Sequence, residues 1–144
     1  MLITKISAVY PYQTARTAWE NVGPRQTHFL AYQISGTYDH SVNGKTYSVA
    51  PDCLFFVNQK DSYTVKCREK GRPICVSFCA DTQLPTSVWD TRANPVVYNL
   101  FLRLLQIKNL QNESNYYLAF FHSIRNLFHC LQNGTPSRAY RPSD

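Results

Sequence analysis

Histidine and cysteine are the residues of this chain best suited to chemistry, and it holds four of the first and five of the second. The cysteines stand at 53, 67, 75, 79 and 130, an odd number, so at least one thiol is free or joined to another chain. The spacings C-x7-C and C-x3-C match no zinc pattern, and no cysteine has a histidine at ligand spacing. The β-branched and aromatic neighbours of Cys67, Cys75 and Cys79 instead predict reduced, half-buried thiols. His122 and His129 are seven residues apart on a helical pattern, too distant to chelate one metal, and read as surface or seam residues. His28 opens a strand-like run and His40 lies near a turn. There is no G-x-S-x-G elbow, H-E-x-x-H pair, EF-hand loop or glycine-rich phosphate loop. Only five glycines are present to build a backbone cradle. The reading is a non-enzymatic chain with no catalytic residue, metal or cofactor.

Composition bounds the rest. With 144 residues, 44% hydrophobic and 17% charged, the chain suits one compact domain and has too little charge for disorder. The net charge of +6 is spread evenly: residues 1–81 carry nine basic against six acidic groups, and residues 82–144 carry six against three. No basic run marks a nucleic-acid stripe. No apolar run reaches the roughly 18 residues of a membrane helix, and the first ten residues lack a signal peptide's apolar stretch. The expectation is a soluble, cytoplasmic protein.

Residues 1 to about 80 have the period and punctuation of strands. Residues 3–10 form a short alternating stretch stopped by Pro11, followed by a polar passage over 13–25. Residues 27–36 are a long β-prone run ending at Gly36. Runs over 38–42 and 46–50 flank Asn43-Gly44, the dipeptide that suits a type I′ hairpin because both residues tolerate positive φ. Pro51-Asp52 is a further turn, 53–57 a short apolar strand and 58–61 a polar loop. Runs over 63–68 and 73–80 are read as a strand pair about a turn at 69–72. Short strands at this spacing indicate an all-β barrel or sandwich.

The period changes at residue 94. Asn94 is an N-cap candidate and Pro95 suits the first helical position. Val97, Leu100, Phe101, Leu104 and Leu105 then make one apolar stripe. After a polar break at 109–114 the stripe resumes through Tyr117, Phe120, Phe121, Ile124, Leu127, Phe128 and Leu131, and stops at Asn133-Gly134 and Pro136. An antiparallel helix pair is expected. Its stripes either cover a face of the barrel or form a dimer seam, here assigned to Leu100, Leu104, Phe120, Ile124, Leu127 and Phe128. Residues 134–144, polar with Pro136, Ser137 and Pro142, read as a linker.

The β-region carries a resemblance. His28-Phe29-Leu30-Ala31-Tyr32 with Gly36, then Gly44, Tyr47, Val49 and Pro51, then residues 54–57, resemble the N-terminal cupin domain of AraC-type transcription regulators. The helices follow where that family places its dimerisation helices, so the likeness covers roughly residues 20–133. It implies a mainly β fold: a cupin-like double-stranded β-helix, or jelly roll, with its N-terminal arm over residues 1–92. It further implies a helical dimerisation region over 93–133 and a linker over 134–144 toward a helix-turn-helix domain that these residues do not contain. Asp52-Cys53 departs from the family's Gly-Asp, and a positive φ at Asp52 is tolerable. Metal-binding cupins use an H-x-H pair, a glutamate and a later histidine. Here Leu30 stands two places after His28 and Tyr63 near the later position, which removes ligands.

The function so implied is ligand sensing and dimerisation. One small molecule, a sugar or a small carboxylate, occupies the barrel and biases DNA binding through the further domain, while the chain pairs with a second copy. Strand parity decides the lining. The resemblance places Phe29, Ala31, Gln33 and Ser35 inward, and the opposite phase, Leu30, Tyr32 and Ile34, is the alternative. On the later strand Cys75, Ser77 and Cys79 share one face. Trp19 in the arm and Trp89 in the loop before the helix are lid candidates, and Arg16 suits a ligand carboxylate or phosphate. The ligand-binding set is therefore Arg16, Trp19, Phe29, Gln33, Ser35, Cys75, Ser77 and Trp89. The competing classes are a cupin enzyme with unusual metal ligands and a stand-alone carbohydrate-binding module.

Overall fold

The computed structural model describes residues 2–12, 15–92, 95–110, 122, 125–126 and 140–141. In chain order these form β1 (Leu2–Pro11), β2 (Ala18–Asn21), β3 (His28–Gln33), β4 (Thr37–Val42), β5 (Lys45–Val49), β6 (Cys53–Val57), β7 (Tyr63–Glu69), β8 (Pro73–Asp81), β9 (Ser87–Asp90), α1 (Pro95–Leu110) and β10 (Tyr140–Arg141). The fold is mainly β. The strands make two five-stranded sheets, ordered β1-β8-β3-β6-β9 and β10-β5-β4-β7-β2, with antiparallel pairing throughout.

Side-chain alternation sorts each strand of the first sheet between two cores. Leu30, Tyr32, Leu54, Phe56, Ile74, Val76 and Phe78 pack on one side with Val97, Phe101 and Leu104 of α1. On the other side Cys53, Phe55, Val57 and Val88 meet Tyr38, Val42, Val49, Tyr63 and Val65 of the second sheet. Covered on both faces, β6 is buried at all five positions, which is why it reads as an unbroken apolar run. In β1 the register skips at Thr4 and Ser7, so each bulge inserts one residue. Ile3, Ile6 and Val9, three apart, therefore all reach the helix-side core.

Two turns follow from residue type. Asn43 (φ 52°) and Gly44 (φ 79°) supply the two left-handed positions of a type I′ hairpin between β4 and β5. Asp52 (φ 66°) makes the turn into β6 without a glycine. Its carboxylate accepts a hydrogen bond from the Tyr32 hydroxyl at 2.6 Å, and its carbonyl accepts from the Thr91 amide (3.0 Å) and hydroxyl (2.5 Å).

The structure corrects several expectations. Residues 63–68 and 73–80 do not pair with each other: β7 lies between β4 and β2, and β8 between β1 and β3. Residues 69–72 are a crossover from one sheet to the other, and they meet the β3–β4 crossover at a pair of glycines. A Cβ on Gly71 would lie 1.9 Å from the Ser35 carbonyl oxygen, and one on Gly36 2.5 Å from the Gly71 nitrogen. Side-chain-free backbone at both positions lets the two connections pass. The polar passage over 13–25 contains β2, Trp89 sits in β9 rather than in a loop, and the expected linker contributes β10, which pairs with β5.

The helix starts at Pro95 as expected; Asn94, its expected cap, lies outside the described residues. The dimer-seam assignment of Leu104 is corrected. Leu104 is fully buried against the first sheet and Leu100 packs at the margin of the same core, because that apolar sheet face needs a cover. Phe120, Ile124, Leu127 and Phe128 lie outside the described residues, as does most of the expected second helix, of which His122, Arg125 and Asn126 are described, helical and exposed. Among the described residues no helix is long and apolar enough to cross a membrane.

Candidate functional site: a cavity between the sheets

The two sheets do not close on each other everywhere. Between them is a cavity of about 460 Å³, within the range of small-molecule sites. Three rings mark where the sheets do meet: His40 of β4 lies tilted against Phe55 of β6 at 4.4 Å, and Tyr63 of β7 lies 5.8 Å from His40 and 6.3 Å from Phe55. A second aromatic row, Tyr10, Tyr12, Trp19 and Tyr38, runs along the wall with successive centroids 6.0–6.4 Å apart. Phe29, Ala31 and Gln33 of β3 and Cys75 and Ser77 of β8 complete the first-sheet side. Arg16, Glu20 and Arg25 bring charge to the lining; Arg16 and Glu20 are exposed and Arg25 is half-buried.

The polar atoms of the wall are ordered. Tyr38 Oη donates to the Gly71 carbonyl (3.3 Å) and accepts from the Gly71 amide (3.1 Å), which ties the wall to the crossover. Gln33 Nε2 donates to the Ser35 carbonyl at 2.6 Å. Asn21 Nδ2 donates to Tyr63 Oη at 3.0 Å. Burial raises the Tyr10, Tyr38 and Tyr63 hydroxyls and the Cys75 thiol above their usual range, so all four are neutral at pH 7. Burial also pushes His40 down to about 4, so its ring is neutral too. His40 Nδ1 is buried and has no hydrogen-bond partner.

Of the residues expected to bind a ligand, Arg16, Trp19, Phe29, Gln33, Cys75 and Ser77 lie on the cavity wall. Two do not. Ser35 is exposed in the crossover, where its hydroxyl accepts from the Arg72 amide. Trp89 packs against the helix-side core, because its neighbour Val88 takes the inward face of β9. The phase Phe29-Ala31-Gln33 points to the cavity, and Leu30 and Tyr32 to the helix. The sequence reading missed Arg25, Tyr38, His40, Phe55 and Tyr63. Alternation along β4, β6 and β7 carries a signal for the last four; Arg25, in a loop, has none.

His28 has a structural part. Its Nδ1 accepts the Gln59 amide (3.0 Å) and its Nε2–H donates to the Ala80 carbonyl (3.2 Å), which fixes the neutral tautomer. Cys53, Cys67, Cys75 and Cys79 are free thiols, as expected, and Cys130 lies outside the described residues. Among the described residues no group of three or more His, Cys, Asp or Glu side chains is placed to hold a metal ion. No model of a known protein family matches the chain, and no curated protein sequence matches it significantly. The cavity wall thus combines aromatic rings, hydrogen-bonded polar groups and the cationic side chains Arg16 and Arg25.

Proposed function

We propose that this chain is the effector-sensing domain of an AraC-type transcription regulator, with a cupin-like jelly roll that holds one small molecule. The observation that carries the reading is the cavity between the sheets, large enough for one small guest and lined by rings with oriented polar groups. Its support outside the cavity is the order of elements: the strand ending toward Gly36, the Asn43-Gly44 hairpin, the Pro51-Asp52 turn and the helix on the outer face of the first sheet. Guest binding shifts the chain between arrangements with different affinities for it. In the full regulator that shift governs a helix-turn-helix region and pairing with a second copy. Titration calorimetry of the chain against sugars and small carboxylates is the test. Saturable one-to-one binding is expected, lost when Ala31→Phe fills the cavity. A chain that binds none of these compounds refutes the sensing reading.

A further inference from the structure

The charge on the cavity wall narrows the guest. Arg25 is half-buried, and its guanidinium carbon lies 5.4 Å from the centroid of the Tyr63 ring. Its Nη1 donates to the Asp61 carbonyl at 2.7 Å and its Nη2 to the Asn58 carbonyl at 3.0 Å. Both partners are neutral backbone oxygens. Arg68 pairs with Asp39 and Arg92 with Asp90, and neither pair includes Arg25. The nearby Asp61 carboxylate is taken up elsewhere, accepting from the Thr86 hydroxyl at 2.6 Å and the Asn43 amide at 3.3 Å. Arg25 is thus a positive charge fixed in place, on a cavity wall, without a carboxylate paired to it. Two of the five guanidinium donors hold its position and three are left for a guest. Tyr63 adds to them: its oxygen accepts from Asn21, so its own proton is there to donate.

Negative charge is scarcer than positive. Among the lining residues the carboxylate is Glu20, exposed on β2, against Arg16 and Arg25. A carboxylate needs donors and positive charge. Beside Arg25 and Tyr63 lie the rings of His40 and Phe55, inclined at 51° to each other, with Trp19 and Tyr38 farther along the wall. The lining is thus rich in aromatic rings, which suits a guest with an aromatic body.

We propose that the cavity takes a small aromatic carboxylate, its anionic end held by the Arg25 guanidinium and the Tyr63 hydroxyl and its ring against the aromatic wall of Tyr12, Trp19 and Tyr38. The proposal rests on the sensing reading and names its ligand class. Arg25 orients the guest by a charge-assisted pair, and the aromatic walls supply the stacking area.

Calorimetry on the unaltered chain compares acid with neutral amide: benzoate with benzamide, phenylacetate with phenylacetamide, indole-3-acetate with its amide. L-arabinose and D-glucose form the sugar arm. At least one acid is expected to bind about tenfold or more tighter than its amide, the scale of one hydrogen bond to a charged group. Arg25→Gln is expected to erase that preference and Arg25→Lys to keep part of it, with thermal melts checking that each variant folds. The acid–amide comparison stands without the variants. Amides equal to their acids overturn the proposal. Sugars bound with every acid rejected overturn it and leave the sensing reading in place. No compound bound overturns both.

Discussion

His40 makes the stability of this fold depend on pH in a calculable way. The ring lies against Phe55 with centroids 4.4 Å apart, its Nδ1 is buried without a hydrogen-bond partner, and the residue lines the cavity. Burial pushes its titration down from 6.5 to about 4. Above pH 6.5 the ring is neutral in the folded and the unfolded chain, and its contribution is constant. Between 6.5 and about 4 the unfolded chain takes up a proton that the folded chain refuses, so stability falls as pH falls. Below about 4 both forms are protonated and the dependence ends. Moving the midpoint over that interval corresponds to about 3 kcal/mol. His28 adds to the same trend, since burial lowers it as well and its Nδ1 must stay unprotonated to accept from Gln59. The perturbation is His40→Phe, which keeps a ring against Phe55 and cannot titrate. Urea unfolding at several pH values from 7.5 to 4, followed by tryptophan fluorescence, gives the stability of each form. The variant is expected to match or exceed the wild type at pH 7, because an unpartnered buried nitrogen is removed. On acidification it should lose about 3 kcal/mol less than the wild type. Parallel losses in the two proteins would refute the enclosure of His40.

The remaining predictions concern the framework. Leu104→Ala removes a fully buried side chain from the core between α1 and the first sheet, and is expected to cost about 2–5 kcal/mol in chemical unfolding. Because Leu104 faces its own sheet, sedimentation should find the oligomeric state of that variant unchanged. Gly71→Ala places a Cβ 1.9 Å from a backbone oxygen and is expected to cost about 3 kcal/mol or more. Gly44→Ala meets nothing within 4 Å and carries only the strain of its positive φ, so its cost should be about 1–2 kcal/mol. Equal melting temperatures for the two alanine variants would contradict the crossing at Gly71.

What was legible in the sequence was local. Asn43-Gly44 announced its hairpin because the turn type demands those residues. The run over 53–57 announced a short apolar strand, and Pro95 with the stripe through Val97, Phe101 and Leu104 announced the helix. The inward phase Phe29-Ala31-Gln33 followed from the resemblance, with its opposite left open. What was illegible was pairing across distance. The turn at 69–72 has the composition of a hairpin, yet its flanking strands belong to different sheets, a fact set by what lies beside each strand. β2 and β9, four residues each, are too short to show a period, and β10 has two residues. Thr4 and Ser7 hide the period of β1, since a bulge turns an alternation of two into a spacing of three. Arg25 is held at the cavity by the carbonyls of Asp61 and Asn58, contacts more than thirty residues away along the chain that no local pattern shows.

One consequence lies in the thickness of the first sheet. Along β3, Ala31 and Gln33 touch the cavity while Tyr32, between them, packs at a tilt against Phe101 at 5.3 Å and Tyr98 at 5.7 Å of α1. Along β8, Cys75 touches the cavity while Ile74 and Val76 support the helix. A single ply of polypeptide is the diaphragm between interior and helix, and a displacement of its peptide planes on one side is a displacement on the other.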